Sequence, residues 1–335
     1  MRKFWLIILV LTAVAIYWGC SDKIEQPGDL PEPGTYNPDT TYVMVTPVWT
    51  GADGLEFNHP NDVIVGYDKS IYIADTYNDR IVRLDLAGNF IESIDIHRPT
   101  QIAQDRALDL LAVTDSSVVL RRDYSEDGDF VIVHSEPDVL LPPPPDDHIV
   151  PAALYGICAS PFPDKSYYFS HYYENGILKY NSSDNFVRVQ VYPGIGVGYA
   201  MAPLALNAKE IKSDFYLCYT SGSASFSIQV LNLTTGEPVI PDTAEVTDIY
   251  SPTVTGYKDI TMDEFGNIFV TMATRSEIWK YDRYGKFDYR FGQEGSGADL
   301  LKNPRGIDSY QNYLYVADRD NNRIVRFEAS TSAQQ

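Results

Sequence analysis

Internal repetition constrains this chain more than any other feature. A segment from His59, "HPNDVIVGYDKSIYIADTYNDRIVRLDLAGNFIESI", and one from Asn303, "NPRGIDSYQNYLYVADRDNNRIVRFE", superimpose on Pro60 and Pro304. They then agree at "YIAD" and "YVAD", and again at "RIVR". Within each unit, short runs rich in β-branched and aromatic residues alternate apolar and polar positions, and Gly, Asp and Asn separate them. That is the pattern of half-buried strands joined by tight turns, and "LAGN" between "RIVRLD" and "FIESI" reads as a hairpin turn. One such unit cannot bury its apolar face alone, so the units must stack on one another.

Four further units fit the same frame, opening at Pro99, Leu154, Pro203 and Tyr257. Six units make a complete ring, and no segment of helical period interrupts them. The predicted fold is therefore all-β, a six-bladed β-propeller. The last unit lacks an outer strand, while "TYVMVTPVWTG" before the first unit is a strand without a partner. Tyr42–Trp49 is expected to complete the last blade and clasp the ring, covering edges that would otherwise be open. On this reading the propeller spans 42–328, and 329–335 is a disordered tail.

The first 19 residues begin with Arg2 and Lys3 and continue as an apolar run from Phe4 to Trp18, short for a transmembrane span. They end in Gly19 before Cys20. This resembles a bacterial lipoprotein signal, with Tyr17 where Leu is usual, and implies that Cys20 is lipidated and becomes the mature N-terminus. Residues 20–41 are rich in Pro, Gly and acids and read as an extended tether that could span up to about 60–70 Å. Ser21, in place of Asp, resembles lipoproteins sorted to the outer membrane. The implied location is the bacterial cell envelope, with the membrane as a partner through the lipid.

The units at Pro60 and Pro304 resemble NHL repeats, matching the family pattern of Pro, Gly or Asp, "Y-[IV]-A-D", Asn and "R-I". The middle four match as propeller blades and only loosely as NHL. The resemblance implies a binding platform, since NHL propellers mostly serve that role. A minority of lyases and hydrolases among the relatives supplies the alternative, a metal-dependent enzyme using the same channel mouth. Calcium-dependent lactonases and phosphotriesterases with six blades hold metal at the ring of residues after each unit's opening Pro, on Asn from "P-N-D" and "P-N-G" blades joined by an Asp and a Glu. Here that pattern survives once, at Asn61 beside Asp62, so neither a metal nor a cofactor is expected.

Formal net charge is −20, which repels phosphate backbones and argues against nucleic acid as a partner. The chain has three cysteines, too few for a disulfide framework. With Cys20 assigned to the anchor, Cys158 and Cys218 fall at apolar strand positions and are read as buried free thiols, with pairing the alternative. His59, His97, His134, His148 and His171 show no HxH or HExxH spacing. A GxSxG elbow, a Walker loop and a dinucleotide fingerprint are also missing from the sequence. An enzyme is not the favoured reading.

Two sets of residues stand out. Asp75 with Arg80, and Asp318 with Arg323, are five apart at one blade position. The third unit has His171 and Gly176 there, and the fifth has Met272 and Glu277. Acid and Arg are lost together, as expected of structural pairs. The residue after each opening position would sit at the start of the innermost strand, at one channel mouth: Asn61, Thr100, Tyr155, Leu204, Lys258 and Arg305. Lys258 and Arg305 belong to neighbouring blades and could receive an anionic group, or pair with Asp62 or Asp259. Long loops at 136–152, 193–203, 240–256 and 292–303, with Tyr199, Tyr250 and Tyr257 in or beside them, join the same mouth. A stiff Pro142–Pro145 finger lies among them. Together they point to a protein, peptide or glycan ligand.

Overall fold

Strand propensity and apolar alternation produce short antiparallel sheets throughout. The structure, a computed structural model, describes residues 40–115, 119–124, 129–134, 154–171, 176–193, 205–221, 228–239, 256–283 and 287–331. Residues 1–39, with Cys20 and most of the segment read as a tether, lie outside these residues, as do Leu204, Tyr199, Tyr250, Pro142–Pro145 and most of the first three long loops. The chain divides into Met1–Asp39 and a compact unit, Thr40–Gln335.

Blade one consists of Pro60–Val65, Ile71–Asp75, Arg80–Leu84 and Phe90–Asp95, hydrogen-bonded in that order. Blades two, three and five repeat the order from Pro99–Gln104, Leu154–Ala159 and Tyr257–Met262. Blade four opens at Leu206–Ile211 and contributes three paired strands among the described residues. Blade six has Pro304–Tyr310, Tyr313–Asp318 and Arg323–Thr331, and its outermost strand is Thr40–Trp49 from the other end of the compact unit.

The apolar core shows that the ring is closed. Six clusters of buried side chains lie one between each pair of neighbouring blades. An open row of six blades would have one interface fewer. Val63, Ile73 and Val82 of blade one meet Tyr315, Ala317 and Ile324 of blade six. Tyr72 and Ala74, which point the other way, meet Ile102 and Ala112 of blade two. Strand period two thus gives each blade two apolar faces, one for each neighbour.

The closing strand works the same way. Its Tyr42, Met44 and Val48 pack into the seam between blades five and six. Tyr42 stacks on Phe291 at 5.4 Å and meets Phe269 edge-on at 5.2 Å. Trp49 turns to the opposite seam, with blade one, under the Arg326 guanidinium at 4.5 Å from its ring. This strand starts at Thr40, two residues earlier than read from the sequence, and Thr40, Thr41 and Tyr42 pair with Thr331, Ser330 and Ala329. Residues 329–331 are therefore strand and not tail. "AST" has no apolar alternation of its own, and its order comes from a partner almost 290 residues away in sequence.

Turn chemistry joins the strands. Asp85 accepts the amides of Ala87 and Asn89 and the Asn89 side chain, closing "LAGN", with Gly88 at φ +89°. Asp263 and Asn267 repeat this in blade five. Such Asx turns fix hairpin registers locally.

Cys158 and Cys218 are both free and buried. Burial pushes the Cys218 thiol up to about 12 and the Cys158 thiol well upward too, so neither forms the reactive thiolate. The compact unit from Thr40, which lacks Cys20, should resist iodoacetamide when folded and take up two labels in denaturant without reductant. Loss of both labels in denaturant would mean that the thiols are paired.

Candidate functional site

The six inner strands run in one direction through the ring and enclose a central channel. Their first residues form one mouth. There Asn61 donates its Nδ2 to the Thr100 carbonyl at 2.7 Å, and the Thr100 hydroxyl donates to the Val113 carbonyl at 3.0 Å. These two side chains therefore stitch blade one to blade two, and blade two to itself. The Thr271 hydroxyl does the same between blades five and six, donating to the Arg305 carbonyl at 2.6 Å. Tyr155 begins its strand at the same level, and its side chain lies outside the described set.

Lys258 and Arg305 differ from these neighbours. Neither makes an ion pair or side-chain hydrogen bond among the described residues, and the Arg305 Nε is buried without a partner. Asp62 and Asp259 do not neutralise them. Burial, then the charge of Arg305, lowers the Lys258 pKa, while burial and Arg319 lower that of Arg305. Two half-buried cations thus repel one another at this mouth. Arg319, paired with Asp320 at 2.8 Å, stands beside them.

One to three residues further along the inner strands the chemistry reverses. Asp62 accepts the amides of Val63 at 2.8 Å and Ile102 at 2.7 Å, reaching from blade one to blade two. Asp259 accepts the Ile307 amide at 2.8 Å, from blade five to blade six. Asp308 accepts the Val65 amide at 2.9 Å, from blade six to blade one. At this level the two backbones of the last seam nearly touch, and a Cβ on Gly306 would collide with the Asp62 main chain. The inner-strand carboxylates are therefore interblade clamps, a role that sequence alone did not reveal.

Asp62 and Asp259 carry no cationic partner among the described residues. Burial, with the nearby Asp308 charge, raises Asp62 to about 7, and burial with the Asp62 charge raises Asp259 well above the carboxylate range. A raised acid is stabilised in its protonated form in the folded state, so its contribution is present below pH 4 and is lost as pH rises through 7. Thermal midpoints should accordingly fall by roughly 5 °C between pH 5 and pH 8. In Asp62→Asn that slope should flatten. A midpoint that rises over this range would contradict the assignment.

Beyond the carboxylates the channel widens into a cavity of about 300 Å³ toward the far ends of the inner strands. Asp62, Gln101, Gln104, Cys158, Asn207, Lys209, Asp259 and Asp308 line it together with apolar Ile64, Ile102, Ile157, Leu206 and Ile307. Lys209 reaches across the channel from blade four to blade six, donating to the Ser309 carbonyl and hydroxyl at 2.6 Å each, 3.8 Å from Asp308. Arg106 and Glu210 form a second cross-channel link, from blade two to blade four. None of Asn61, Thr100, Lys258 or Arg305 lines this cavity. The sequence signal for it was a polar residue at the third or fourth inner-strand position, seen in "PND", "PTQ", "YKD" and "NAK".

The paired residues sit away from the channel. Arg80 Nε donates to Asp75 at 2.7 Å, and Arg323 Nε donates to Asp318 at 2.7 Å, all four side chains buried. Each carboxylate also holds the loop before its blade, through the amides of Asn58 and Lys302. His59 contacts Asn58 and the Tyr77 ring, and His97 contacts Asp79. Among the described residues no three His, Cys, Asp or Glu side chains converge as a metal site.

No protein-family model matches the chain. No curated protein matches it either. Solved structures do. A Bacteroides thetaiotaomicron protein of unknown function is 12% identical, with 87% of this chain and 76% of that one covered at a TM-score of 0.57. The PQQ-bound aldose sugar dehydrogenase of Streptomyces coelicolor is 13% identical, covering 87% and 98%, at 0.55. Virginiamycin B lyase from Staphylococcus aureus is 14% identical, covering 79% of each chain, at 0.51. At these identities the likeness establishes the six-bladed propeller fold and nothing about activity.

Proposed function

We propose that this chain is a lipid-anchored binding scaffold of the bacterial envelope, an NHL-type propeller held off its membrane by the tether. The ligand, a protein, peptide or glycan, presents an anionic group to the mouth formed by the starts of the inner strands. The observation that carries this reading is the pair Lys258 and Arg305. Two half-buried cations that make no ion pair among the described residues, on a chain of net charge −20, are costly to keep unless something negative arrives to pair with them. The cell envelope, the outer membrane and the acyl group on Cys20 follow from the leader's resemblance to lipoprotein signals. Growth in labelled palmitate, with a Cys20→Ala control, tests them.

To test the binding reading, the compact unit from Thr40 is immobilised and challenged with detergent-solubilised envelope. Wild type should retain a partner that Lys258→Ala/Arg305→Ala releases, with at least tenfold less captured. Equal capture by both would remove the mouth from the account. A metal-dependent lyase or hydrolase reading would use the same mouth through Asn61. The Asn61 amide nitrogen is already committed to Thr100, though its carbonyl oxygen remains for a cation. Stoichiometric calcium or zinc in the purified unit would favour the enzyme.

A further inference from the structure

The cavity beside the carboxylate clamps holds buried acceptors that no charged donor reaches among the described residues. Asp62 and Asp259 are 2% and 7% exposed and have no cation beside them among the described residues. Gln101, 8% exposed, lines the same space with an amide that makes no hydrogen bond among the described residues. Gln104, 4% exposed, donates its Nε2 to the Leu108 carbonyl and the Tyr72 hydroxyl, which fixes its orientation and leaves Oε1 without a partner. The Asn207 Oδ1 is likewise buried and unpartnered. Of the two lysines that line the cavity, Lys209 is taken up by Ser309 and Asp308, and Lys69 is exposed.

Buried acceptors without partners, and buried carboxylates held by backbone amides without a counter-charge, are unfavourable, and each gains from a donor that carries charge. An ammonium group has three donors and no acceptor. Calcium or zinc fits less well, because no three acidic or histidine side chains converge among the described residues. Ile102, Ile157 and Leu206 on the walls suit an aliphatic portion, and about 300 Å³ suits a ligand of a few carbons.

We propose that this half of the channel binds a small organic ammonium ion, its nitrogen between the Asp62 and Asp259 carboxylates and the Gln101 amide oxygen, its carbon chain against Ile102, Ile157 and Leu206. The site includes the clamp carboxylates themselves, and neither Lys258 nor Arg305 lines it.

The experiment is calorimetric titration of the compact unit with n-butylammonium chloride, 1-butanol and calcium chloride at pH 7.5. Butylammonium should bind saturably, one per chain, and the neutral isostere and calcium should not. Gln101→Met, which removes no hydrogen bond among the described residues, should keep the thermal midpoint and weaken butylammonium at least tenfold. Lys258→Ala/Arg305→Ala should bind it like wild type. No saturable binding of butylammonium, equal binding of butanol, binding of calcium in its place, or unchanged affinity in Gln101→Met would each overturn the proposal. The butanol comparison decides the matter even if a variant fails to fold.

Discussion

A chain that starts at Thr50 in place of Thr40 should fail to hold the ring together. Removal of that strand takes Tyr42, Met44 and Val48 out of the seam between blades five and six, and Trp49 out of the seam with blade one. Full burial is worth about 1.5–3 kcal/mol per apolar side chain, so the four, three of them partly buried, contribute at most roughly 6–12 kcal/mol. That approaches the whole net stability of an ordinary domain, about 5–15 kcal/mol. The strand Arg323–Thr331 would also be left as an open edge, which invites association. The expected result is a midpoint lower by about 15 °C or more, or aggregation. A chain starting at Thr40 should melt like the full-length protein. Trp49→Ala alone should cost about 3–5 kcal/mol. If the Thr50 start melts normally, the ring is not closed by this strand.

The second large effect should come from Asp75→Ala. Its carboxylate holds Arg80 Nε at 2.7 Å, Asn78 Nδ2 at 2.8 Å and the Asn58 amide at 2.7 Å, all at once. Among the described residues, truncation leaves a buried guanidinium with a long contact to the Leu55 carbonyl at 3.4 Å. Breaking one side of a buried pair costs about 3–5 kcal/mol, mostly from the charge left behind. Asp75→Leu/Arg80→Met should therefore recover most of that loss, and denaturant unfolding of both variants measures it. Ligand capture at the mouth should not change in either. Lost capture at unchanged stability would make Asp75 a functional residue.

How much of this was legible from sequence differs by feature. The blades, their starts at Pro60, Pro99, Tyr257 and Pro304, and the closing strand follow from period-two alternation and turn residues, which are local properties. The Asp75–Arg80 and Asp318–Arg323 pairs were legible for the same reason, because the partners face each other across one hairpin. The interblade clamps were not. Asp62 reaches Ile102, Asp259 reaches Ile307 and Asp308 reaches Val65, contacts that exist only once the ring has been assembled. Lys209 is the extreme case, since its partner Ser309 lies two blades away. The last strand's extension to Thr331 was hidden because its residues carry no strand pattern of their own. At the site, the order of first residues around the mouth was legible. That Lys258 and Arg305 would make no ion pair among the described residues, and that the channel would turn acidic just beyond them, was not.

The most direct test of the central claim is titration of a fluorescein-tagged triglutamate peptide at low ionic strength, read by anisotropy. The whole protein repels such a peptide, so saturable binding has to come from a local positive site. The account predicts saturation with wild type and with Gln101→Met, and affinity at least tenfold weaker for Lys258→Ala/Arg305→Ala. No saturable binding, or equal affinity in the double variant, would contradict it.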